Sequence, residues 1–236
     1  ANVAFEGAQK STVEPKLLKK YEPDAMVNRK VWAKFKFRLA TLQKSVGNYE
    51  QAMSECQFVR NELVDVNDPD IDAHILYTMA LISGNLGNYA DSLGYQLQAL
   101  KVARRADNPN LLIRCLYDSG SELAHHGRGE EALPLFDEAI ELCRLIDSQK
   151  LEGLSTWHQG AALLSLTRPD EALRSLKMSI QLVIDSGYQA GLKWIFLKTA
   201  EALEAAGQLA LASKFLGKCI TVRIAESRPL AVNEQE

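Results

Sequence analysis

The chain lacks a long uninterrupted apolar run. Its apolar stretches are short and broken by charges, as in IFLKTAEALEAAG at residues 195–207, and none approaches the ~20 consecutive apolar residues of a membrane-spanning helix. The opening residues, ANVAFEGAQKST, lack a basic segment followed by a long apolar one, so they do not form an intact signal peptide. The sequence therefore predicts neither a membrane span nor an intact secretory signal.

A strong charge of either sign is also missing. The 27 Lys and Arg residues nearly balance the 30 Asp and Glu residues, for a formal net charge of −3, so nucleic acid and anionic membranes are not favoured as partners. The local exception is the basic, aromatic segment RKVWAKFKFR at residues 29–38. One basic helix before a more acidic body is more typical of a partner-docking or solvated surface, so no nucleic-acid partner is expected.

Cysteine is scarce and scattered. Cys56, Cys115, Cys143 and Cys219 occur singly within apolar helical patterns, and no C-x-x-C pair is present. Disulfides or zinc ligation are the alternatives, but isolated cysteines in such patterns are typical of buried thiols in a reducing compartment. We therefore expect a cytoplasmic protein.

The motifs of common catalytic and cofactor sites are missing as well. No G-x-x-x-x-G-K-[ST] phosphate-binding loop occurs, and histidine occurs only four times. The adjacent His125 and His126 would diverge by about 100° on a helix, which disfavours binding one ion from one face. No nucleophile has a recognisable setting. The sequence predicts no catalytic residue, metal or cofactor, and this segment is not expected to be an enzyme, although a catalytic output domain could follow it in a longer protein.

What the chain does contain is a repeat of forty residues. Motifs of the type VGNYEQAM, LGNYADSL and HGRGEEAL recur, and their turn position falls at Gly47, Gly87, Gly127, Thr167 and Gly207, each 40 residues after the last. Five units without an insertion identify a repeat architecture, which must be recognised before secondary structure is assigned.

Each unit has the spacing of two helices rather than of strands. Apolar and small residues lie three or four positions apart on both sides of the turn at Gly87: Leu76, Ala80 and Ser83 before it, Leu93, Leu97 and Leu100 after it. Two columns of small residues mark where paired helices approach closely: Ala40, Ala80, Gly120, Gly160 and Ala200, then Ala52, Ser92, Ala132, Ala172 and Ala212. The pattern predicts an all-α fold in which each unit is a helix A, a tight turn and a helix B.

These motifs resemble the tetratricopeptide repeat family. The matching positions are Gly47-Asn48-Tyr49 with Ala52, Gly87-Asn88-Tyr89 with Ser92, and Gly127 and Ala132 with Phe136, Ala139 and Ile140. The unit of 40 residues is longer than the family's common ~34 and is similar to a variant found in bacterial signalling and regulatory proteins. Thr167-Arg168-Pro169 departs from the glycine turn.

The resemblance implies a right-handed superhelical solenoid of about five helix-turn-helix repeats over residues 32–226. A partly helical N-terminal extension, residues 1–31, would precede it, and a polar exit segment or linker, residues 227–236, would follow it. In such a solenoid the A helices line a concave groove.

The family register places a column in that groove, ten residues before each turn, and its first four members are aromatic: Phe37, Tyr77, Tyr117 and Trp157, with Leu197 in the fifth unit. Large aromatic side chains with a polar handle are frequent binding hot spots, although packing between adjacent A helices is the alternative role. The candidate partner-binding residues are Phe37, Arg38, Tyr77, Gly84, Asn85, Arg114, Tyr117, Asp118, Trp157, His158, Trp194 and Lys198. The groove is predicted to be basic at its N-terminal end and more acidic at its C-terminal end, which would orient an extended peptide or a helix.

The resemblance and the groove favour a protein- or peptide-binding scaffold. The most specific hypothesis is the sensory or regulatory region of a larger bacterial signalling protein, with a diguanylate cyclase (GGDEF) domain as the preferred output. One alternative is a homo-oligomerisation or assembly module, in which a terminal apolar face would pair two chains as a homodimer. The candidate faces are residues 192–207, or residues 194–197 together with 214–220. The other is a small-molecule-sensing domain whose ligand stacks on the groove aromatics.

Overall fold

The computed structural model describes residues 26–62, 68–188 and 191–227, and these residues form ten α-helices and no strand. The A helices are α1 (Met26–Ser45), α3 (Pro69–Asn85), α5 (Pro109–His125), α7 (Gln149–Ser165) and α9 (Leu192–Ala205). The B helices are α2 (Tyr49–Glu62), α4 (Tyr89–Ala103), α6 (Gly129–Leu145), α8 (Pro169–Asp185) and α10 (Leu209–Ser227). The predicted all-α solenoid of helix-turn-helix repeats is confirmed.

The first and last helices extend past the expected ends of the solenoid. Helix α1 begins at Met26, inside the segment predicted to be an extension, and α10 ends at Ser227. The expectations for residues 1–25 and 228–236 lie outside the described residues.

Each A helix joins its B helix through a turn in the left-handed backbone region. The φ angles are +85° at Gly47, +78° at Gly87, and +74° at both Gly127 and Gly207. Thr167 takes the same role at the fourth joint with φ +57°. In all five joints the backbone N–H of the next residue donates to a carbonyl five residues earlier, at 2.8–3.0 Å. This arrangement satisfies carbonyls that the end of helix A leaves unpaired.

Two of the A helices begin with the same pair of signals. Asp68 and Asn108 each accept a hydrogen bond from the backbone N–H three residues later, at 3.3 and 3.0 Å. Pro69 and Pro109 follow as the first helical residues, where proline loses no helical hydrogen bond. The forty-residue spacing of these prolines therefore reflects the start of helix A.

Both columns of small residues lie at close helix contacts, as their spacing predicts. The five members of each column are buried. A Cβ atom at Gly120 would lie 2.8 Å from the ring of Phe136 on α6, and one at Gly160 would lie 2.8 Å from Leu176 Cγ on α8. The repeat therefore needs a small side chain at these positions because the paired helices leave no room for a larger one.

Every helix packs against the next one along the chain, and neighbouring A helices also contact each other, as α1 with α3 and α5 with α7. The buried side chains form three successive core clusters along the stack. Three of the four free cysteines are fully buried, whereas Cys219 on the last helix is only partly buried. Within the described ranges, no helix has the length and apolar character needed to cross a membrane.

The apolar segment at residues 192–207 is not a free pairing surface. Ile195 is fully buried and Phe196 is 7% exposed, both inside the last core cluster, and Phe196 packs edge-on against Phe215 of α10 with ring centroids 6.0 Å apart. Among the large apolar side chains of this segment, only Trp194 is exposed, with 53% of its surface accessible. Residues 192–207 therefore present no apolar face of their own, because α10 covers the apolar side of α9.

Candidate functional site

Side chains of neighbouring A helices meet at a separation of 41 residues. The Tyr77 hydroxyl on α3 donates a hydrogen bond to Asp118 Oδ2 on α5 at 2.7 Å. The Tyr117 ring on α5 stacks on the His158 imidazole on α7, with centroids 5.1 Å apart and planes at 15°. Because the units repeat every 40 residues, each of these two tyrosines contacts the residue that follows its counterpart in the next unit. The groove face is thus a ladder of paired side chains.

Asp118 is the charged centre of this ladder. Beside it, the Arg114 guanidinium lies 5.6 Å from the centre of the Tyr77 ring. Burial raises the pKa of Asp118 to about 6, because desolvation of the carboxylate outweighs the Tyr77 hydrogen bond and the Arg114 charge, which both lower it. Burial, with the Asp118 charge, also raises the pKa of Tyr77 far above its ordinary value. The Tyr77 phenol therefore stays protonated and acts as the donor.

His158 is enclosed by aromatic rings. Besides the Tyr117 stack, its ring centroid lies 4.4 Å from Trp157 and 6.5 Å from Phe136. Burial lowers the pKa of His158 to about 4, and His125 contributes in the same direction. The His158 imidazole is therefore uncharged at neutral pH, which suits its position within an aromatic stack.

A cavity of about 280 Å³ opens on the inner face beside this stack. It is lined only by A helices α5, α7 and α9, through Ser121, Ala124, His125, Trp157, His158, Ala161, Ala162, Ser165 and Lys198. The Lys198 ammonium pairs with Glu201 at 2.7 Å, so the single cationic side chain of the lining is partly neutralised. The volume is close to the lower limit of small-ligand pockets, ~300 Å³, and would accommodate one large side chain of a partner.

The structure brings together three of the predicted site residues in this cavity: Trp157, His158 and Lys198. The alanines that create the space, Ala161 among them, were not predicted. Their small side chains leave a gap opposite the aromatic rings, and a search for small residues beside aromatic positions in neighbouring A helices would have found them.

The N-terminal part of the predicted groove forms a separate group. The Phe37 ring lies 6.5 Å from the His74 ring, and Arg38 is exposed. Arg114, which belongs to the ladder, is also exposed. At the C-terminal end, the exposed Trp194 ring lies 5.6 Å from the Lys193 ammonium.

Gly84 and Asn85 lie at the end of α3, apart from the aromatic ladder. Gly84 lines a second cavity, of about 590 Å³, with Tyr89, Glu122, His125 and His126. The Asn85 amide donates to the carbonyl of Leu81 in its own helix at 2.8 Å.

The groove aromatics differ in how far they are buried. Tyr117 is 7% exposed and belongs to a core cluster, so its ring packs within the solenoid. Phe37, Tyr77 and Trp157 are partly buried. Tyr117 is therefore the least accessible of the four aromatics, whereas the other three keep part of their surface open to a partner.

Stacked helix pairs with a lined inner face define this molecule as a helical-repeat solenoid. Residues 72–145 match the family model of the tetratricopeptide repeat. The resemblance seen in the turn motifs is thereby confirmed for the units around Gly87 and Gly127, which lie within the matched residues. No curated protein matches the chain by sequence.

Several solved structures share the fold. BtubC (BKLC) from P. vanneervenii has a TM-score of 0.74 and 16% identity, covering 98% of this chain and 94% of that one. A Rap protein complexed with competence and sporulation factor has a TM-score of 0.70 and 16% identity, covering 86% of this chain and 56% of that one. A kinesin light chain with nearly identical TPR-like repeats, from Podospora anserina, has a TM-score of 0.66 and 12% identity, covering 83% and 96%.

Proposed function

We propose that this chain is a protein- or peptide-binding scaffold that takes its partner in the groove lined by the A helices and is not itself catalytic. The observation that carries the proposal is the cavity formed by three successive A helices, where Trp157, His158 and Lys198 come together. An extended peptide running along the groove would place one anchoring side chain in this cavity, with exposed groove residues on either side of it.

The similarity to known structures supports this proposal through the fold. One similar solenoid is a Rap protein solved with competence and sporulation factor bound. That structure shows that a solenoid of this shape takes a bound factor, and we extend only this general capacity to the present chain.

A peptide selection tests the groove. Peptides selected from a random phage-displayed library with the wild-type chain are measured by isothermal titration against three groove variants. Trp194→Ala and Arg114→Ala remove exposed side chains, and Ala161→Phe fills the cavity with a ring. We expect at least a tenfold loss of affinity for Ala161→Phe, and a loss for one or both of the others, in line with ~1.4 kcal/mol or more per hot spot.

The matched control is Leu145→Ala. Leu145 is 80% exposed at the end of the B helix α6, so its truncation leaves the groove intact and should not change affinity. Peptides that bind the three groove variants as tightly as the wild type would contradict the proposal.

We further propose that the scaffold acts in the cytoplasm as the regulatory region of a larger bacterial signalling protein. The forty-residue period and the free thiols support this assignment, and a diguanylate cyclase domain is the first output to test. Sequencing the gene beyond the codon for residue 236 tests which output domain, if any, the protein carries. A GGDEF domain there would support the hypothesis of a diguanylate cyclase output, and a domain of another kind would contradict it.

A further inference from the structure

The inner face of the first three A helices carries a column of basic side chains beside the groove aromatics. The His74 ring on α3 lies 6.5 Å from the Phe37 ring on α1. The Arg114 guanidinium on α5 lies 5.6 Å from the centre of the Tyr77 ring on α3. Lys34 begins this column on α1, 40 residues before His74. The equivalent positions of the last two A helices hold Leu154 and Trp194. The groove therefore changes from basic to apolar after α5.

Two more cations of α1 belong to the same face by their register. Arg38 holds the position of His158 and Lys198 in the later A helices. Lys44 holds the position of Ala124. All three of these later residues line the cavity on the inner face, so Arg38 and Lys44 lie on the groove side of α1.

These five side chains form a basic patch: Lys34, Arg38, Lys44, His74 and Arg114. The Arg114 charge acts on two of the other members. Burial lowers the pKa of Lys44, and Arg114 contributes in the same direction. Burial also lowers the pKa of His74, and Arg114 again adds to the effect. His74 is therefore uncharged at neutral pH, and the positive charge of the patch is carried by its lysines and arginines.

The carboxylates near the basic patch offset only part of its charge. Asp118 accepts a hydrogen bond from Tyr77 at 2.7 Å, and Asp70 accepts one from the Asn108 amide at 2.7 Å. In the described ranges, no member of the patch forms an ion pair. By contrast, five arginines in or next to the B helices pair with carboxylates at 2.6–3.0 Å: Arg60, Arg104, Arg128, Arg144 and Arg168. The groove thus presents positive charge although the chain has a net charge of −3.

We propose that the basic patch binds an acidic stretch of an extended partner segment, and that a bulky side chain of the same segment occupies the cavity lined by α5, α7 and α9. This inference rests on the proposed function and adds the chemistry of the partner, namely carboxylate side chains on one side of the anchoring residue. Complementary charge of this kind fixes the register of a bound segment and speeds its association.

The spacing of the helices determines where the acidic residues fall. Arg114 on α5 lies one A helix before Trp157 on α7, and packed helices lie roughly 10 Å apart. An extended chain covers about 3.3 Å per residue, so the first acidic residue is expected about three positions from the anchoring residue. The cations of α1 would meet acidic residues further along the same side of the segment.

The experiment uses peptides that were selected on the wild-type chain and that lose affinity in Ala161→Phe, so that each one occupies the groove. We expect Asp and Glu in these peptides about three or more positions from a large apolar residue, on one side of it. Isothermal titration then compares the wild type with the double variant Lys44→Gln with Arg114→Gln. At 0.1 M salt the double variant should bind about fivefold more weakly. The difference should nearly vanish at 1 M salt, where the screening length is about 3 Å.

Matched controls separate charge at the groove from charge in general. Arg105→Gln makes the same change at an exposed arginine just after the B helix α4, and it should leave the affinity unchanged. Peptides whose Asp and Glu are replaced by Asn and Gln should bind the wild type about fivefold more weakly. These neutral peptides should bind the wild type and the double variant equally, because the interaction that the double variant removes is already absent. Circular dichroism checks that each variant keeps its helical content.

The outcomes distinguish this inference from the proposed function. If no selected peptide loses affinity in Ala161→Phe, the groove proposal fails and this inference fails with it. If peptides need the cavity but lack acidic residues, or bind the double variant as tightly as the wild type, only this inference is wrong. A single-stranded oligonucleotide that binds more tightly than every acidic peptide, and that loses affinity in the double variant, would identify nucleic acid as the occupant of the basic patch and would also overturn it.

Discussion

The Tyr77 hydroxyl donates a hydrogen bond to the Asp118 carboxylate at 2.7 Å, across 41 residues of sequence. This bond joins two consecutive A helices and compensates part of the cost of burying a carboxylate. It also links the groove to the pH behaviour of the fold, because Asp118 and the nearby His158 both have shifted pKa values.

Removing the Tyr77 hydroxyl should destabilise the fold. Tyr77→Phe deprives the partly buried Asp118 carboxylate of a donor, and leaving such a group unsatisfied costs about 1–3 kcal/mol. Urea unfolding at neutral pH measures the loss. The control is Tyr95→Phe, since Tyr95 is also partly buried and its hydroxyl is not part of this pair. Equal losses in the two variants would show that the bond to Asp118 contributes nothing specific.

The pH dependence of stability should change when Asp118 is neutralised. The raised pKa of Asp118, about 6, makes its contribution to stability decrease as the pH rises from about 4 to about 6. The lowered pKa of His158, about 4, makes its contribution decrease as the pH falls from about 6.5 to about 4. The two effects oppose each other in the wild type. In Asp118→Asn only the His158 effect remains, so the free energy of unfolding should fall by about 3 kcal/mol over that acid range.

Denaturant titrations at several pH values, from about 6.5 to 4, check this expectation. The variant His158→Asn should show the reverse slope, with stability rising as the pH falls, because only the Asp118 effect remains. Parallel pH profiles for the wild type and both variants would contradict the assignment.

Thr167→Gly should stabilise the protein by about 1 kcal/mol. Thr167 is a β-branched residue at φ +57°, a region that is costly for such side chains and free of strain for glycine. Relief of strain should exceed the added entropy of glycine in the unfolded chain. Asp147 also has a positive φ, +53°, but Asp tolerates this region better. Asp147→Gly should therefore gain less, and thermal unfolding of the two variants compares them.

Gly120→Ala should destabilise the protein, whereas Gly94→Ala should stabilise it. The new Cβ at Gly120 would lie 2.8 Å from the buried ring of Phe136, and overpacking of this kind costs about 1–3 kcal/mol. A Cβ at Gly94, within α4, would meet nothing within 4 Å, so Ala there gains about 1 kcal/mol of helix propensity. Chemical denaturation should give opposite signs for the two free-energy changes. Stabilisation by both substitutions would show that helix propensity outweighs close packing at Gly120, and destabilisation by both would contradict the expected gain at Gly94.

The sequence by itself determined the repeat and most of the fold. The period of forty, the turn glycines and the two columns of small residues are local properties, because helix periodicity and left-handed turns depend on residues a few positions apart. The register implied by the resemblance to tetratricopeptide repeats placed Trp157, His158 and Lys198 on the groove side, and these three line one cavity in the structure.

Only the tertiary structure decided what each repeated position does. Tyr77 and Tyr117 are equivalent in sequence, yet Tyr77 bonds to Asp118 while Tyr117 is buried against His158, because each tyrosine meets a different residue on the next helix. Phe35 and Ile220 look like core residues by register and are exposed. A repeated side chain is buried by the neighbouring unit, and periodicity alone does not show where the stack of neighbours ends.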